Sequence, residues 1–127
     1  RAVIVSGTPQ SAHAYAAVAE KKYYAEFPHT LLVRWSGPPS RDGSREVQFT
    51  CITKGCSFLP TDQPEHGELV DRVPDADDAY DAKVVNGQAA LRVTVKGDTL
   101  GTYTIRAEPI AYRRERAVPT FFRLTLR

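Results

Sequence analysis

Few side chains in this 127-residue chain are typed and spaced for chemistry. Cys51 and Cys56 lie close together with Gly55 between them, a spacing that suits a small disulfide across a turn. Such a bond requires an oxidising compartment, and two free buried thiols are the alternative. Zinc would want about four ligands, and neither a C-x-x-C nor a His pair supplies the remainder. Carboxylates gather at Asp71, Asp75, Asp77, Asp78 and Asp81. Acids at near-alternate loop positions can collect oxygen ligands around Ca²⁺, which makes Asp75, Asp77, Asp78 and Asp81 candidate ligands. The spacing is not that of an EF-hand loop, and a solvated polar loop explains the same composition. Arg106, Arg113, Arg114 and Arg116 are a candidate patch for an anionic or protein partner, although outward arginines on strands also guard sheet edges. Tyr15, Tyr23, Tyr24, Tyr80 and Tyr112 can stack on sugar rings as a planar set, or seal loops against the core.

Catalytic constellations are not legible. His13, His29 and His66 are scattered, no G-x-S-x-G nucleophile motif occurs, and no local motif pairs two acids for glycoside hydrolysis. The chain is therefore expected to bind rather than to catalyse, with no catalytic residue assigned.

The elements that must position these groups read as strands. Ala2 to Val5 form a short apolar strand ended by Ser6-Gly7-Thr8-Pro9, a turn cluster. Residues 10–27 are ambiguous: Ala12, Ala14, Ala16, Ala17 and Ala19 favour helix, whereas Tyr15, Val18, Tyr23, Tyr24 and Phe27 favour strand. This stretch reads as a largely extended connection that admits one helical turn. Leu31, Val33 and Trp35 alternate with polar neighbours, as do Val47, Phe49 and Cys51. Phe58 and Leu59 begin another short strand, and Glu68 to Val73 look extended. Asn86-Gly87 is a turn dipeptide, after which Ala89 to Lys96 alternate as one strand. Tyr103, Ile105 and Ala107 lie on a penultimate strand, and Phe122, Leu124 and Leu126 close the chain. About seven short strands separated by turns define an all-β antiparallel sandwich with one wet face on each sheet.

Composition agrees. Hydrophobic content of 42% and charged content of 25% are those of an ordinary globular chain, and a net charge of +2 does not by itself imply nucleic acid. At this length one domain, residues 1–127, can bury about two-thirds of its unfolded surface. No apolar run approaches the roughly 20 residues of a membrane-spanning helix. The chain begins at Arg1 and contains no Met, as expected of a mature or excised segment.

The order of these motifs resembles the bacterial immunoglobulin-like modules of invasin- and intimin-type adhesins. Ser6-Gly7-Thr8-Pro9-Gln10-Ser11-Ala12 matches their opening, and Phe27, Pro28 and Leu31 to Trp35 match the next strand. Val47-Gln48-Phe49-Thr50, Asn86-Gly87-Gln88-Ala89, Gly101 to Ala107 and Phe121-Phe122 match the later strands of those modules. The segment from His13 to Glu26 is longer than usual, and the cysteine pair and the acidic stretch are additions. In such sandwiches a Tyr near the start of the penultimate strand turns its hydroxyl back onto the preceding loop, a tyrosine corner. Tyr103 holds that place, with Ile105 where antibody domains carry a bridging Cys. The resemblance implies a non-enzymatic module of a secreted, periplasmic or surface-displayed protein, acting in adhesion, assembly or spacing through protein contacts or neighbouring domains. A carbohydrate- or small-ligand-binding sandwich, or a structural subunit of a larger surface assembly, is the alternative. No cofactor other than calcium is suggested.

Overall fold

The computed structural model describes residues 2–39, 43–61, 70–76, 78–110 and 118–127. It is all β: thirteen strands and no helix among the described residues. In chain order these are β1 (Val3–Ser6), β2 (Gln10–Ala12), β3 (Tyr15–Ala17), β4 (Lys22–Glu26), β5 (Leu31–Arg34), β6 (Glu46–Cys51) and β7 (Ser57–Pro60). They continue as β8 (Val70–Arg72), β9 (Ala79–Lys83), β10 (Gln88–Leu91), β11 (Val93–Gly97), β12 (Gly101–Ile110) and β13 (Thr120–Leu126).

One layer is a six-stranded sheet, β2-β13-β12-β6-β9-β8. Its centre is β12, whose Tyr103, Ile105 and Ala107 are buried while the residues between them are not. The facing layer consists of a three-stranded sheet, β1-β5-β10, and a four-stranded sheet, β3-β4-β11-β7. These two lie end to end. Leu91 pairs with Leu31 and Thr94 with Glu26, so residues 27–30 bulge opposite residues 92–93. Phe27 N–H still donates to Val93 O across that bulge, 3.0 Å away, and carries the ladder through.

Four expectations change. The expected count of about seven strands becomes thirteen because long strands are cut at this bulge and at crossings between layers. The alternation from Ala89 to Lys96 runs unbroken in side-chain burial, but its pairing divides into β10 and β11. The possible helical turn within residues 10–27 is instead a hairpin, β3 pairing with β4, closed by Glu20 N–H and Lys21 N–H donating to Ala17 O and Val18 O. Cross-strand partners override the alanines' helix propensity there. One pair is also parallel rather than antiparallel, β2 with β13, where the chain leaves the β1 sheet at Gly7–Pro9 and joins the opposite layer.

The inward faces form one continuous apolar cluster, with Phe27, Phe49, Phe58 and Phe122 its largest fully buried side chains. Burying each is worth about 1.5–3 kcal/mol. Trp35 and Tyr103 join the same cluster, and the rings of Phe49 and Phe122 meet at 6.1 Å. Asn86 and Gly87 both have positive φ, 52° and 78°, the type I′ geometry that only Gly and Asn adopt cheaply. That turn sends the chain from β9 in one layer to β10 in the other.

Candidate functional site

The outward positions of the four-stranded sheet carry the most organised surface among the described residues. Strand pairing sets Tyr15 opposite Tyr24, Tyr24 opposite Lys96, and Lys96 opposite Ser57, so four residues from β3, β4, β11 and β7 form one row. The Tyr15 and Tyr24 rings stack with centroids 5.6 Å apart and planes 11° from parallel. The Lys96 ammonium lies 5.7 Å from the centroid of the Tyr24 ring, a cation–π contact. Glu20, from the β3–β4 turn, accepts the Tyr24 hydroxyl and sits 3.9 Å from Lys96 Nζ. That hydrogen bond, more than burial, raises the Tyr24 phenol above its ordinary value and keeps it a donor. Tyr15 is 60% exposed, so its aromatic surface is open to solvent.

Beside the row lies a groove of about 450 Å³. Tyr24, Thr94 and Lys96 contribute to it from β4 and β11, and Ser57, Phe58 and Leu59 from the edge strand β7. Arg72 on β8 and Tyr80 on β9 complete it from the opposite layer. The groove thus sits where β7 and β8, the outermost described strands of the two layers, meet, and the Phe58 and Tyr80 rings, 5.1 Å apart, close its base. Thr94 Oγ1 is held 3.2 Å from Thr61 Oγ1, and Leu59 is 59% exposed. Arg72 and Lys96 are cationic, and none of the described lining residues is acidic.

The site residues expected from sequence distribute differently. Cys51 and Cys56 are joined in a disulfide, Cα atoms 6.0 Å apart, at the crossing from β6 to β7. Tyr103 donates its hydroxyl to Thr99 O at 2.6 Å and accepts from Thr99 N–H at 3.2 Å. Gly97 makes that return possible, since a Cβ there would strike the Tyr103 ring and hydroxyl. Of the calcium candidates, Asp75 is exposed in the β8–β9 turn, Asp78 is half-buried, and Asp81 lies on β9 against Gln48. Asp77 lies outside the described residues, among which no three His, Cys, Asp or Glu side chains gather as metal ligands. Arg106 sits on β12, 3.6 Å from Glu108, while Arg113, Arg114 and Arg116 lie outside the described residues. Of the tyrosines, Tyr80 is buried and Tyr23 packs partly against the core; Tyr112 lies outside the described residues. Among the described tyrosines, only Tyr15 and Tyr24 join on the surface.

Lys96, Ser57, Thr94, Leu59 and Arg72 were not among the expected site residues. The one signal for them is that they occupy the outward alternate positions of short strands, which says nothing until the register is known. No protein-family model matches the chain, and no curated protein matches it in sequence.

Proposed function

We propose that the chain is a non-enzymatic immunoglobulin-like module of a secreted or surface-displayed bacterial protein. It acts by contact, in adhesion, assembly or spacing, and its contact surface is the outer face of β3-β4-β11-β7. The observation that carries this reading is the in-register row Tyr15–Tyr24–Lys96–Ser57 with its exposed tyrosine. Aromatic rings supply large contact area at low conformational cost, and a cross-strand row holds them in place before any partner arrives. The immunoglobulin-like assignment is supported by the Tyr103 return onto Thr99 at the start of β12. An oxidising compartment is supported by the Cys51–Cys56 bond. Carbohydrate or small-ligand binding at this same face is the second reading, favoured by the groove beside the row.

Beads coated with the full chain test the contact role against intact bacteria and epithelial monolayers. Wild-type beads are expected to be retained several-fold more than beads carrying the folded Tyr15→Ala/Tyr24→Ala variant. Retention no better than that of albumin-coated beads would overturn the contact role. Equal retention of wild type and variant would overturn the assignment to this face.

A further inference from the structure

We infer that the outer face of β3-β4-β11-β7 pairs with the same face of a second copy, about a two-fold axis running along the strands between β4 and β11. This rests on the reading of that face as the contact surface and names its partner. Charge selects the second copy. Three ion pairs cross from the β4 side of the face to the β11 side. Lys22 on β4 meets Asp98, which follows β11. Glu20, bonded to the Tyr24 hydroxyl, lies 3.9 Å from Lys96 on β11. Glu26 on β4 lies 3.4 Å from Arg92, which precedes β11. Rotation about the axis keeps each residue's height along the strands and exchanges the two sides. Lys22 therefore faces Asp98 of the second copy, Glu20 faces its Lys96, Glu26 faces its Arg92, and each match occurs twice. A face whose acids and bases are exchanged by a two-fold is complementary to itself.

The exposed apolar side chains obey the same axis. It exchanges β3 with β7, the outer strands of this sheet, so Tyr15 of each copy comes over the strand that carries Ser57 and the exposed Leu59. Packed sheet faces keep their strands within about 30° of each other, so rows meet rows. Tyr15 is already held against Tyr24, and ordering it costs little. Four strands about 4.8 Å apart make a small face. The pair falls below the roughly 1,200 Å² of stable interfaces, so it is weak alone and gains where many copies are displayed together. An axis along the strands also leaves both chains running the same way. The two copies stand side by side, as neighbours on one surface do.

Sedimentation equilibrium of the full chain, from micromolar to millimolar, tests this. Wild type is expected to dimerise with rising concentration, and less so at high salt. Lys22→Glu sets acid against acid in both halves of the pair, and Asp98→Lys sets base against base. Each variant alone should dimerise about ten-fold more weakly or worse. Both substitutions break only an exposed ion pair, so unchanged circular dichroism is expected. Mixed in equal amounts, the substituted position of one variant meets that of the other, acid against base. The mixture should regain wild-type affinity, a result that an ion pair within one chain cannot give. A mixture as weak as its parts would overturn the two-fold arrangement. Undiminished dimerisation of Tyr15→Ala/Tyr24→Ala would overturn pairing through this face. A chain that stays monomeric at millimolar concentration, with tyrosine-dependent bead retention intact, would overturn this inference alone and give the face to a different partner. Loss of both would overturn the face itself.

Discussion

The outer faces of the two layers obey the same alternation and carry opposite chemistry. On the six-stranded sheet, outward residues form polar pairs in register: Gln48 Nε2 donates to Asp81 at 3.1 Å, and the Thr102 and Thr125 hydroxyls meet at 2.8 Å. Arg106 and Glu108 add an ion pair along β12. Apart from Phe121 at one end, and the buried Arg106 Nε, which has no hydrogen-bond partner, such pairs satisfy each other and offer little to a partner. On the four-stranded sheet the equivalent row is two stacked rings, an ammonium and a hydroxyl, with Leu59 exposed on the neighbouring row. Inward, both layers hold the same kind of apolar side chain. Burial therefore determines one half of each strand, and the other half is free to be inert or to bind.

Adjacent residues on β7 make the sharpest test of that division. Phe58 is 1% exposed and touches Tyr80 across the layers, whereas Leu59 is 59% exposed. Phe58→Ala is expected to cost about 3–5 kcal/mol in urea unfolding. Leu59→Ala is expected to stay within about 0.5 kcal/mol. Similar losses at both positions would mean that the outer face is structural after all.

The second largest effect concerns the crossing that joins the layers. The Cys51–Cys56 bond closes a loop of sequence separation 5 between β6 and β7. A loop that short restricts the unfolded chain by only about 2 kcal/mol. Reduction, or Cys51→Ala with Cys56→Ala, should lower stability by that amount while the melt remains one transition. The row of Tyr15 and Tyr24, on strands remote in sequence, should keep its contact activity. A reduced chain that loses contact activity while still folded would show that the two faces are coupled through this corner.

An inner and an outer tyrosine extend the comparison. Tyr103 is buried and exchanges two hydrogen bonds with Thr99, so Tyr103→Phe strands a backbone carbonyl and should cost about 1 kcal/mol. Tyr24 bonds an exposed glutamate, and Tyr24→Phe should change stability by less than about 0.5 kcal/mol. Equal Tm values for wild type and Tyr103→Phe would remove the hydroxyl's role in holding the loop.

The same physics decides which parts of the fold and the face were legible in the sequence. β6, β12 and β13 could be read because alternation reports burial directly, and Asn86-Gly87 because its turn requires positive φ. The split of residues 88–97 could not be read, since alternation passes through Arg92 unchanged and only the partner strand's bulge divides the pairing. The stacking of Tyr15 on Tyr24 depends on a hairpin whose alanines argue locally for helix. The groove draws on five strands in two layers, so no spacing within the chain could announce it. Tyrosines that looked alike in sequence were separated only by packing: Tyr80 into the core, Tyr15 out of it.

The smallest effect probes a like-charge pair on the polar face. Asp81 lies opposite Asp71 across the β8–β9 pair, two like charges in register. Burial first, and then Asp71, raises the Asp81 carboxyl above its ordinary value, with the Gln48 hydrogen bond opposing them. The folded chain thus holds the Asp81 proton more tightly than the unfolded chain does. The associated stabilisation is full below the ordinary carboxylate value and is lost as pH rises through the raised one. At neutral pH the charged carboxylate is a net cost, which Asp81→Asn removes while keeping an acceptor for Gln48. The side chain is only half-buried and solvent screens it, so the expected gain is small, on the order of 1–2 °C in Tm at pH 7. That gain should fade as the pH falls below about 4, where Asp81 is protonated in both states. A gain of the same size at pH 3 would trace it to packing instead of charge, and the polar face would then be as well matched as its other pairs.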